Sequence, residues 1–335
     1  MANKIFLQDA GMQYLIALQE WRAEHSDGWS AFFSQATSYT GMQTILLIMA
    51  CIYWAVDKRM GQQLLMGWNT GRLALGFFKI WACIYRPWIL DARIEPDPKI
   101  KAGATGYSFP SGHSMSAAAC FGGIAMQKET SRRFAILLVL IVLIVAFSRN
   151  FLSVHTPQDV VVGMALGFGA AWFGIWLFNK IEASDGPLDI IVAAVAVVLA
   201  LLVAWFAATK QYPVDYDESG KILVEGQKMA TDTYKAVGWT IGFFISFVIE
   251  RRFVKFTTAG TTMERLERLV FCLFLYYIYY KIIYPIFRGA FDNKGLGAAV
   301  VCFVEMVYIV LLAPIVIKFL QRKSEVAQAA LAEGK

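Results

Sequence analysis

The amino-acid sequence predicts an all-α protein, a polytopic membrane helical bundle with about nine transmembrane helices. Hydrophobic residues make up 58% of the 335 residues, charged residues make up only 17%, and the mean hydropathy is +0.52. Soluble domains carry roughly 45–50% apolar and about 25% charged residues. The apolar residues are also gathered into long runs, and about 20 helical residues suffice to cross a hydrocarbon core about 30 Å thick.

Nine apolar runs, separated by polar loops, are the predicted membrane spans. The third is the shortest, because a helix over 112–127 would extend only about 24 Å at 1.5 Å per residue. Its small residues, SMSAAACFGG, favour close helix packing, so we expect it to be buried among its neighbours or to begin below the membrane surface. The predicted spans are 40–57, 62–85, 113–127, 132–151, 157–179, 189–209, 233–250, 268–288 and 296–320.

The runs divide the chain into four segments. These are an N-terminal interfacial segment 1–39, a core 40–180 formed by helices one to five, additional transmembrane helices 181–320, and a polar tail 321–335. The opening stretch, MANKIFLQDAGMQYLIALQEW, has acidic and polar residues where a signal peptide would keep an unbroken apolar core. We therefore expect it to be an amphipathic segment at the membrane interface and not a cleaved leader.

Cysteine usage and charge exclude several classes of protein. The cysteines all lie inside apolar runs with no CxxC pair, so they are predicted to be small core residues, and neither a disulfide framework nor a zinc site is indicated. The net charge of +6 is not concentrated in a basic stripe interleaved with aromatic residues, so no nucleic-acid partner is predicted. The sequence gives no indication of an oligomeric state. The cysteines are Cys51, Cys83, Cys120, Cys272 and Cys302.

The distribution of basic residues predicts the orientation in the membrane. In a nine-span topology, fifteen Lys and Arg residues fall on one side and twelve on the other. The richer side is predicted to be cytoplasmic, together with the C-terminus. The loops of the other side are long and rich in Asp and Glu, and the unusual polar clusters all lie there. We therefore expect a multi-pass cell-membrane protein with its functional site on the exoplasmic face.

The first polar cluster is KIWACIYRP, at the outer end of the second predicted helix. Lys79 and Arg86 are seven residues apart, which is two helical turns, so we expect both to project from one helical face. Lys79 interrupts an apolar run, where a cation costs a few kcal/mol on insertion scales. Either the pair binds an anion, or Lys79 is a membrane anchor.

The second cluster is FPSGHSMS, at the start of the third predicted helix. Ser111 and Gly112 precede His113 at a helix N-terminus, where free backbone N–H groups and the helix dipole favour an anion. Gly112 also removes the side chain that would keep an anion away from the backbone. The alternative is that Ser111 is only an N-cap.

The third cluster is FSRNFLSVHTPQDV, between the fourth and fifth predicted helices. Thr156 as N-cap, Pro157 at the first helical position and Asp159 near the free N–H groups predict a helix start. Asp159 could serve only as a cap residue. However, His155 lies four residues before it, so the carboxylate can hold one ring nitrogen and leave the other free. Arg149 lies six residues before His155, at the end of the fourth helix.

Together the clusters provide three cations, a hydroxyl group and a helix N-terminus, which suit a group with several anionic oxygens, such as a phosphoryl group. Two of the three histidines of the chain fall inside the clusters and are available for covalent and proton-transfer chemistry. No Asp, Glu and His cluster with metal-ligand spacing accompanies them. The sequence therefore predicts phosphoryl transfer without a metal or cofactor, in which the cations stabilise the charge of the transition state.

The three clusters, in this order and at these spacings, resemble the type 2 phosphatidic acid phosphatase superfamily, also called lipid phosphate phosphatases. The superfamily signature is K-x6-RP, then PSGH, then SR-x5-H-x3-D, and every position matches over a region of roughly 61–180. The matching residues are Lys79, Arg86, Pro87, Pro110, Ser111, Gly112, His113, Ser148, Arg149, His155 and Asp159.

The resemblance implies a role for each matching side chain. In the superfamily, the histidine that matches His155 attacks phosphorus and forms a phosphohistidine, and the aspartate that matches Asp159 orients its ring. The residue that matches His113 protonates the leaving oxygen and then activates water. The family fold is a helical bundle with its site where the second to fifth helices end at the membrane surface. The residues that would hold the phosphoryl oxygens are Lys79, Arg86, Ser111, Gly112 and Arg149.

The resemblance implies a phosphoric monoester hydrolase whose partners are membrane lipids and a phosphorylated lipid, polyprenyl (pyro)phosphate or other phosphomonoester. A lipid phosphotransferase would use the same phosphohistidine with another acceptor. Six helices are usual in the superfamily, and the nine-helix layout resembles glucose-6-phosphatases and sphingosine phosphate phosphatases, so a sugar phosphate is a second possible substrate. A transporter is the remaining alternative, because the last four helices carry ionisable residues. These residues are either functional, or they snorkel to the interface or pair with one another. They are Glu250, Lys281, Arg288 and Glu305.

Overall fold

The computed structural model describes residues 6–25, 27–101, 103–104, 107–217, 220–291 and 294–322, and this part of the chain is all-α, as predicted. Its only extended pairing is one antiparallel bridge between Tyr216 and Ile222. The helices are α1 Phe6–Glu24, α2 Asp27–Tyr39, α3 Met42–Cys51, α4 Lys58–Ala82, α5 Pro87–Leu90, α6 Pro98–Lys101, α7 Gly112–Ala117, α8 Gly123–Ala125, α9 Arg132–Phe151, α10 Pro157–Glu182, α11 Leu188–Thr209, α12 Gly226–Ile249, α13 Thr262–Ile278, α14 Tyr284–Gly289 and α15 Lys294–Val307.

Several helices continue through single π-helical turns. One such turn, Ala118–Gly122, joins α7 to α8, and another, Tyr279–Ile283, joins α13 to α14. The others extend α3, α12 and α15 at their C-terminal ends; they are Ile52–Val56, Glu250–Val254 and Tyr308–Leu312.

Six helical stretches of the described residues are long and apolar enough to cross a membrane, so the predicted count of nine is not confirmed. A seventh crossing is possible if Gly28–Tyr39 and Met42–Val56, which meet at 52°, form one bent span. The predicted spans 113–127 and 233–250 do not qualify, because the first is short and the helix of the second carries Asp232 and Lys235. The six stretches are Lys58–Leu90, Arg132–Phe151, Pro157–Glu182, Leu188–Thr209, Thr262–Gly289 and Lys294–Arg322.

The helix α4 lies at the centre of the bundle, packed against α10 on one side and α12 on the other. Glycines allow α4 and α10 to approach closely, since a Cβ on Gly174 would lie only 2.5 Å from the backbone nitrogen of Gly67. The short α7 packs against α10, α9 and α4. Met115 and Ala117 are fully buried, which confirms that this helix lies among its neighbours.

The C-terminal helices are joined to α4 and to one another by buried polar contacts. Lys58 Nζ donates to Glu250 Oε1 at 2.6 Å, and Glu250 is fully buried. Glu305, in α15, accepts hydrogen bonds from Trp239 Nε1 at 2.8 Å and from Tyr276 OH at 2.6 Å. These two acidic residues are therefore paired within the bundle, which favours the structural interpretation of both over a transport site.

The N-terminal helices α1 and α2 cover the loops between the membrane helices. Arg22 Nη1 donates to the carbonyl oxygen of Phe151 at 2.9 Å, and Arg22 Nη2 donates to that of Glu95 at 2.8 Å. The ring of Phe33, in α2, lies 4.6 Å from that of Phe151 between centroids. The N-terminal segment thereby fixes the loop that follows α9, which carries the third polar cluster.

Candidate active site

The predicted site residues come together around one cavity of about 120 Å³ at one end of the bundle. Ser111 and Asp159 lie directly behind its wall, since the Ser111 amide donates to the Asp159 carbonyl oxygen at 2.9 Å. The three sequence clusters, which are separated by up to 80 residues along the chain, therefore form a single site. The predicted residues that line the cavity are Lys79, Arg86, Gly112, His113, Arg149 and His155.

Lys79 and Arg86 reach the cavity from different backbone segments. The helix α4 ends at Ala82, and Cys83 follows it in a left-handed conformation with φ of 50°. Arg86 is extended, with φ of −68° and ψ of 152°, because a residue before proline is kept out of the helical region. The prediction that Lys79 and Arg86 share one helical face is therefore wrong.

His155 is held between an arginine and a carboxylate. Arg86 Nη1 lies 2.9 Å from His155 Nε2, and His155 Nδ1 lies 3.4 Å from Asp159 Oδ2. An arginine can only donate, so Nε2 must accept and the ring proton is assigned to Nδ1, on the side of the carboxylate. Nε2 therefore carries the lone pair of the ring, and it lies beside Arg86 in the cavity wall.

Asp159 is both a helix cap and a partner of His155. Its Oδ2 accepts from the Thr156 amide at 2.8 Å, and its own amide donates to Thr156 Oγ1 at 3.3 Å, which is a capping box at the start of α10. Ser108 Oγ also donates to Asp159 Oδ2 at 2.5 Å and lies 3.3 Å from His155 Nδ1. The predicted helix start is confirmed, and the cap holds the carboxylate at the imidazole.

The surroundings of His155 keep its ring neutral. Burial lowers the pKa of His155 well below its ordinary value, and the nearby cations Arg86, Arg149 and Lys79 lower this pKa further. Its exposed fraction is 2%. A neutral imidazole retains the lone pair that a nucleophile needs.

Arg149 provides unused hydrogen-bond donors. Its side chain is buried, and its Nε and Nη1 have no hydrogen-bond partner among the described residues. A buried N–H group without a partner costs about 1–3 kcal/mol, so an anion in the cavity would relieve this cost. Lys79 is only partly engaged, since Nζ donates to the Tyr107 carbonyl oxygen at 2.9 Å and an ammonium group has three donors.

The start of α7 is fixed by its own serines and by a glycine of α10. Ser111 is the N-cap, and its Oγ accepts from the Ser114 amide at 3.5 Å and from Ser114 Oγ at 2.9 Å. A Cβ on Gly163 would lie 2.6 Å from the Ser111 carbonyl oxygen, so only glycine allows α10 to approach this closely. Gly163 and Gly167 are four residues apart, and this small-residue spacing was the available sequence signal for the contact.

Three other residues of the site lie outside the predicted set. Arg72 and Asp232 line the cavity, and Ser108 contacts the His155 and Asp159 pair. Asp232 comes from α12, far along the chain, so no local pattern places it near the motifs. No group of three or more His, Cys, Asp and Glu side chains stands close enough to hold a metal ion in the part of the chain that is described.

The fold and the site define a membrane helical bundle with a cationic cavity that contains two histidines. Residues 63–183 match the PAP2 superfamily model, and residues 234–325 match the model of the transmembrane extension of PAP2 superfamily phosphatases. Together the matches cover more than half of the chain. The chain belongs to the PAP2 superfamily, as its three motifs indicated.

Two curated proteins are similar to this chain over the motif region. An undecaprenyl-diphosphatase of Sulfolobus acidocaldarius is 33% identical over 95 residues, which are 28% of this chain and 40% of that protein. A phosphatidylglycerophosphatase B of Bacillus subtilis is 31% identical over 103 residues, which are 28% of this chain and 50% of that protein. The matches thus span half or less of each relative. No solved structure gives a significant match.

Proposed function

We propose that the chain is an integral-membrane phosphatase that hydrolyses a lipid or polyprenyl phosphate or diphosphate through a phosphohistidine on His155. The observation that carries this proposal is the pairing of His155 Nε2 with Arg86 at 2.9 Å while Nδ1 faces Asp159 at 3.4 Å. This geometry leaves the lone pair of the ring on Nε2, which accepts from Arg86 until the arginine turns to the phosphoryl oxygens of a bound substrate.

In the first step, His155 Nε2 attacks phosphorus, a P–N bond forms, and the bond from phosphorus to the leaving oxygen breaks. Burial and the cations Arg149 and Arg86 keep the pKa of His113 well below its ordinary value in the substrate-free site, so His113 takes up its proton together with the anionic substrate. It then donates this proton to the leaving oxygen. Asp159 stabilises the positive charge that the His155 ring acquires. Arg86, Arg149 and Lys79 neutralise the phosphoryl oxygens, whose charge increases at the transition state.

In the second step, water attacks phosphorus and gives a proton to neutral His113. The P–N bond breaks, its electron pair returns to His155 Nε2, and inorganic phosphate leaves. His113 is then protonated again, so the site has returned to its initial state and one water molecule has been consumed.

The membrane location and the relatives support a lipid substrate. The names of the two relatives specify undecaprenyl diphosphate and a phosphatidylglycerophosphate as their substrates. In this chain the cavity lies at the ends of apolar helices, where the phosphate of a lipid could enter while its chains stay in the bilayer. In the predicted nine-span topology, the excess of basic residues in the opposite loops favours an exoplasmic site and a cytoplasmic C-terminus.

Phosphate release by the purified protein in detergent tests the proposal. The substrates are a lipid phosphomonoester, a polyprenyl diphosphate and a sugar phosphate, each with and without an acceptor lipid. We expect hydrolysis of the lipid substrates, and His155→Ala should reduce it by about 10³-fold or more. His25→Ala is the matched control, because this exposed histidine stacks on Trp21 outside the cavity. Full activity of His155→Ala would disprove the mechanism.

A further inference from the structure

We propose that Arg72, which lies outside the three motifs, is a fourth cation that binds the transferred phosphoryl group, and that the C-terminal transmembrane extension holds it in place. This inference rests on the proposed phosphatase function, because it assigns a further residue to the same cavity. Arg72 and Lys79 are seven residues apart on α4, so both face the cavity, with Gly76 between them.

Arg72 is close to the part of the site that would receive the phosphoryl group. Its side chain is 3% exposed and lines the cavity. A Cβ on Gly112 would lie 3.5 Å from Arg72 Nη1, so the guanidinium stands beside the first residue of α7. Gly112 and its neighbour His113 both line the same cavity, which places Arg72 next to the proposed proton donor.

No described residue forms a salt bridge or a hydrogen bond with the Arg72 side chain. Arg72 Nε has no hydrogen-bond partner, and no carboxylate lies within salt-bridge distance of the guanidinium among the described residues. Asp232 also lines the cavity, but its Oδ1 accepts from Lys235 Nζ at 2.7 Å. A buried cation without a direct ion pair is costly, so an anionic ligand in the cavity is the partner that its position indicates.

Aromatic residues from two parts of the chain hold the guanidinium. Arg72 Cζ lies 5.8 Å from the ring centroid of Trp68 and 5.5 Å from that of Trp239. The two indole rings are 5.2 Å apart between centroids, and Trp239 Nε1 donates to Glu305 Oε2 at 2.8 Å. Trp239 and Glu305 belong to the extension, which therefore contributes to the phosphate site through Arg72. Cation–π contacts orient the guanidinium and leave its N–H groups free to donate.

The test compares Arg72→Gln and Arg72→Lys with the unchanged protein. Arg72→Gln should raise the inhibition constant of inorganic phosphate, and the KM of both a monophosphate and a diphosphate substrate, by about 10- to 100-fold. Arg72→Lys keeps the charge and should recover part of this loss. Arg59→Gln is the matched control, because Arg59 lies on the same helix but is half exposed and bonded to Glu182 at 3.0 Å.

Two results would contradict the inference. In a folded Arg72→Gln protein, an unchanged phosphate inhibition constant would show that Arg72 does not touch the phosphoryl group. A KM that rises only for the diphosphate would place Arg72 at a second phosphoryl group instead. Thermal stabilisation of the protein by phosphate is measured without turnover. This measurement therefore tests the Arg72 inference separately from the proposed function. The proposed function fails if the unchanged protein hydrolyses none of the substrates.

Discussion

His155 Nε2 lies 2.9 Å from Arg86 Nη1, and this contact joins the first motif to the third. The same Arg86 Nη1 donates to the Val154 carbonyl oxygen at 2.7 Å, so the arginine is anchored to the backbone beside the histidine. Because arginine cannot accept a hydrogen bond, the contact determines which ring nitrogen carries the lone pair. The proposed nucleophile is therefore arranged before any substrate binds.

The first prediction concerns Asp159, whose carboxylate has two functions. An amide at this position can still accept from the Thr156 N–H, so Asp159→Asn should change the stability by less than about 1 kcal/mol. It cannot stabilise the positive charge of the His155 ring, so kcat should fall by about 10²- to 10⁴-fold. Steady-state kinetics and thermal unfolding in detergent provide the measurements. Parallel losses of stability and activity would mean that Asp159 is only a cap.

The second prediction concerns Arg149, whose Nε and Nη1 are buried and have no hydrogen-bond partner in the described part of the chain. Arg149→Met fills a similar volume and removes these N–H groups, so it should stabilise the substrate-free protein by about 1–3 kcal/mol. It should also abolish stabilisation by phosphate and reduce kcat/KM by about 100-fold or more. Melting temperatures with and without phosphate provide the comparison. A destabilised variant that still binds phosphate would refute this role.

The third prediction concerns pH. Burial and the cations Arg86, Arg149 and Lys79 keep the pKa of His155 well below its ordinary value. His155 should therefore be neutral at pH 7. The acid limb of the kcat/KM profile, which reports the protonation of His155, should lie below about pH 6.5. Lys79→Gln removes one of these cations, so this limb should move to higher pH. A profile that stays in place, or moves to lower pH, would contradict the assignment.

The same lowered pKa has a consequence for stability. The unfolded chain binds a proton on His155 at a higher pH than the folded protein does. The contribution of neutral His155 to the free energy of unfolding is therefore complete above about pH 6.5. It is lost as the pH falls towards the pKa of His155 in the folded protein. Thermal unfolding between pH 5 and pH 8 measures it, with His155→Gln as the reference that lacks this titration.

The fourth prediction uses two glycines of α10. A Cβ on Gly163 would lie 2.6 Å from the Ser111 carbonyl oxygen, whereas a Cβ on Gly169 would meet nothing within 4 Å. Gly163→Ala should displace the start of α7 and reduce kcat by about 10-fold or more while the bundle stays folded. Gly169→Ala should leave the activity unchanged and stabilise the helix by about 0.5–1 kcal/mol. Equal activities of the two variants would show that the α7–α10 contact does not position the site.

Local sequence patterns were sufficient for much of the site. The capping residues Thr156 and Asp159 predicted the start of α10, and Ser111 predicted that of α7, because helix caps depend on neighbouring residues. The prediction that Lys79 and Arg86 share one helical face was wrong, because the left-handed Cys83 and the extended residue before proline end α4 before Arg86. The spacing of seven predicted proximity correctly but not the backbone that produces it.

The remaining features depend on contacts between distant parts of the chain. Arg72 lies outside the motifs, and its aromatic neighbour Trp239 is more than 160 residues away. Asp232 reaches the cavity from α12, which the apolar pattern represented only as a membrane span. The predicted count of nine spans is also not confirmed, because an apolar run does not reveal whether its helix is short and buried, as α7 is.

Detection of the phosphorylated residue tests the central claim most directly. With an aryl phosphate, whose leaving group needs no proton, His113→Ala should form the intermediate but hydrolyse it slowly, because water is no longer activated. After a rapid quench at high pH, peptide mapping should find an acid-labile phosphoryl group on His155, and none in the protein that also carries His155→Ala. A phosphoryl group on another residue, or undiminished turnover in the double variant, would contradict the account.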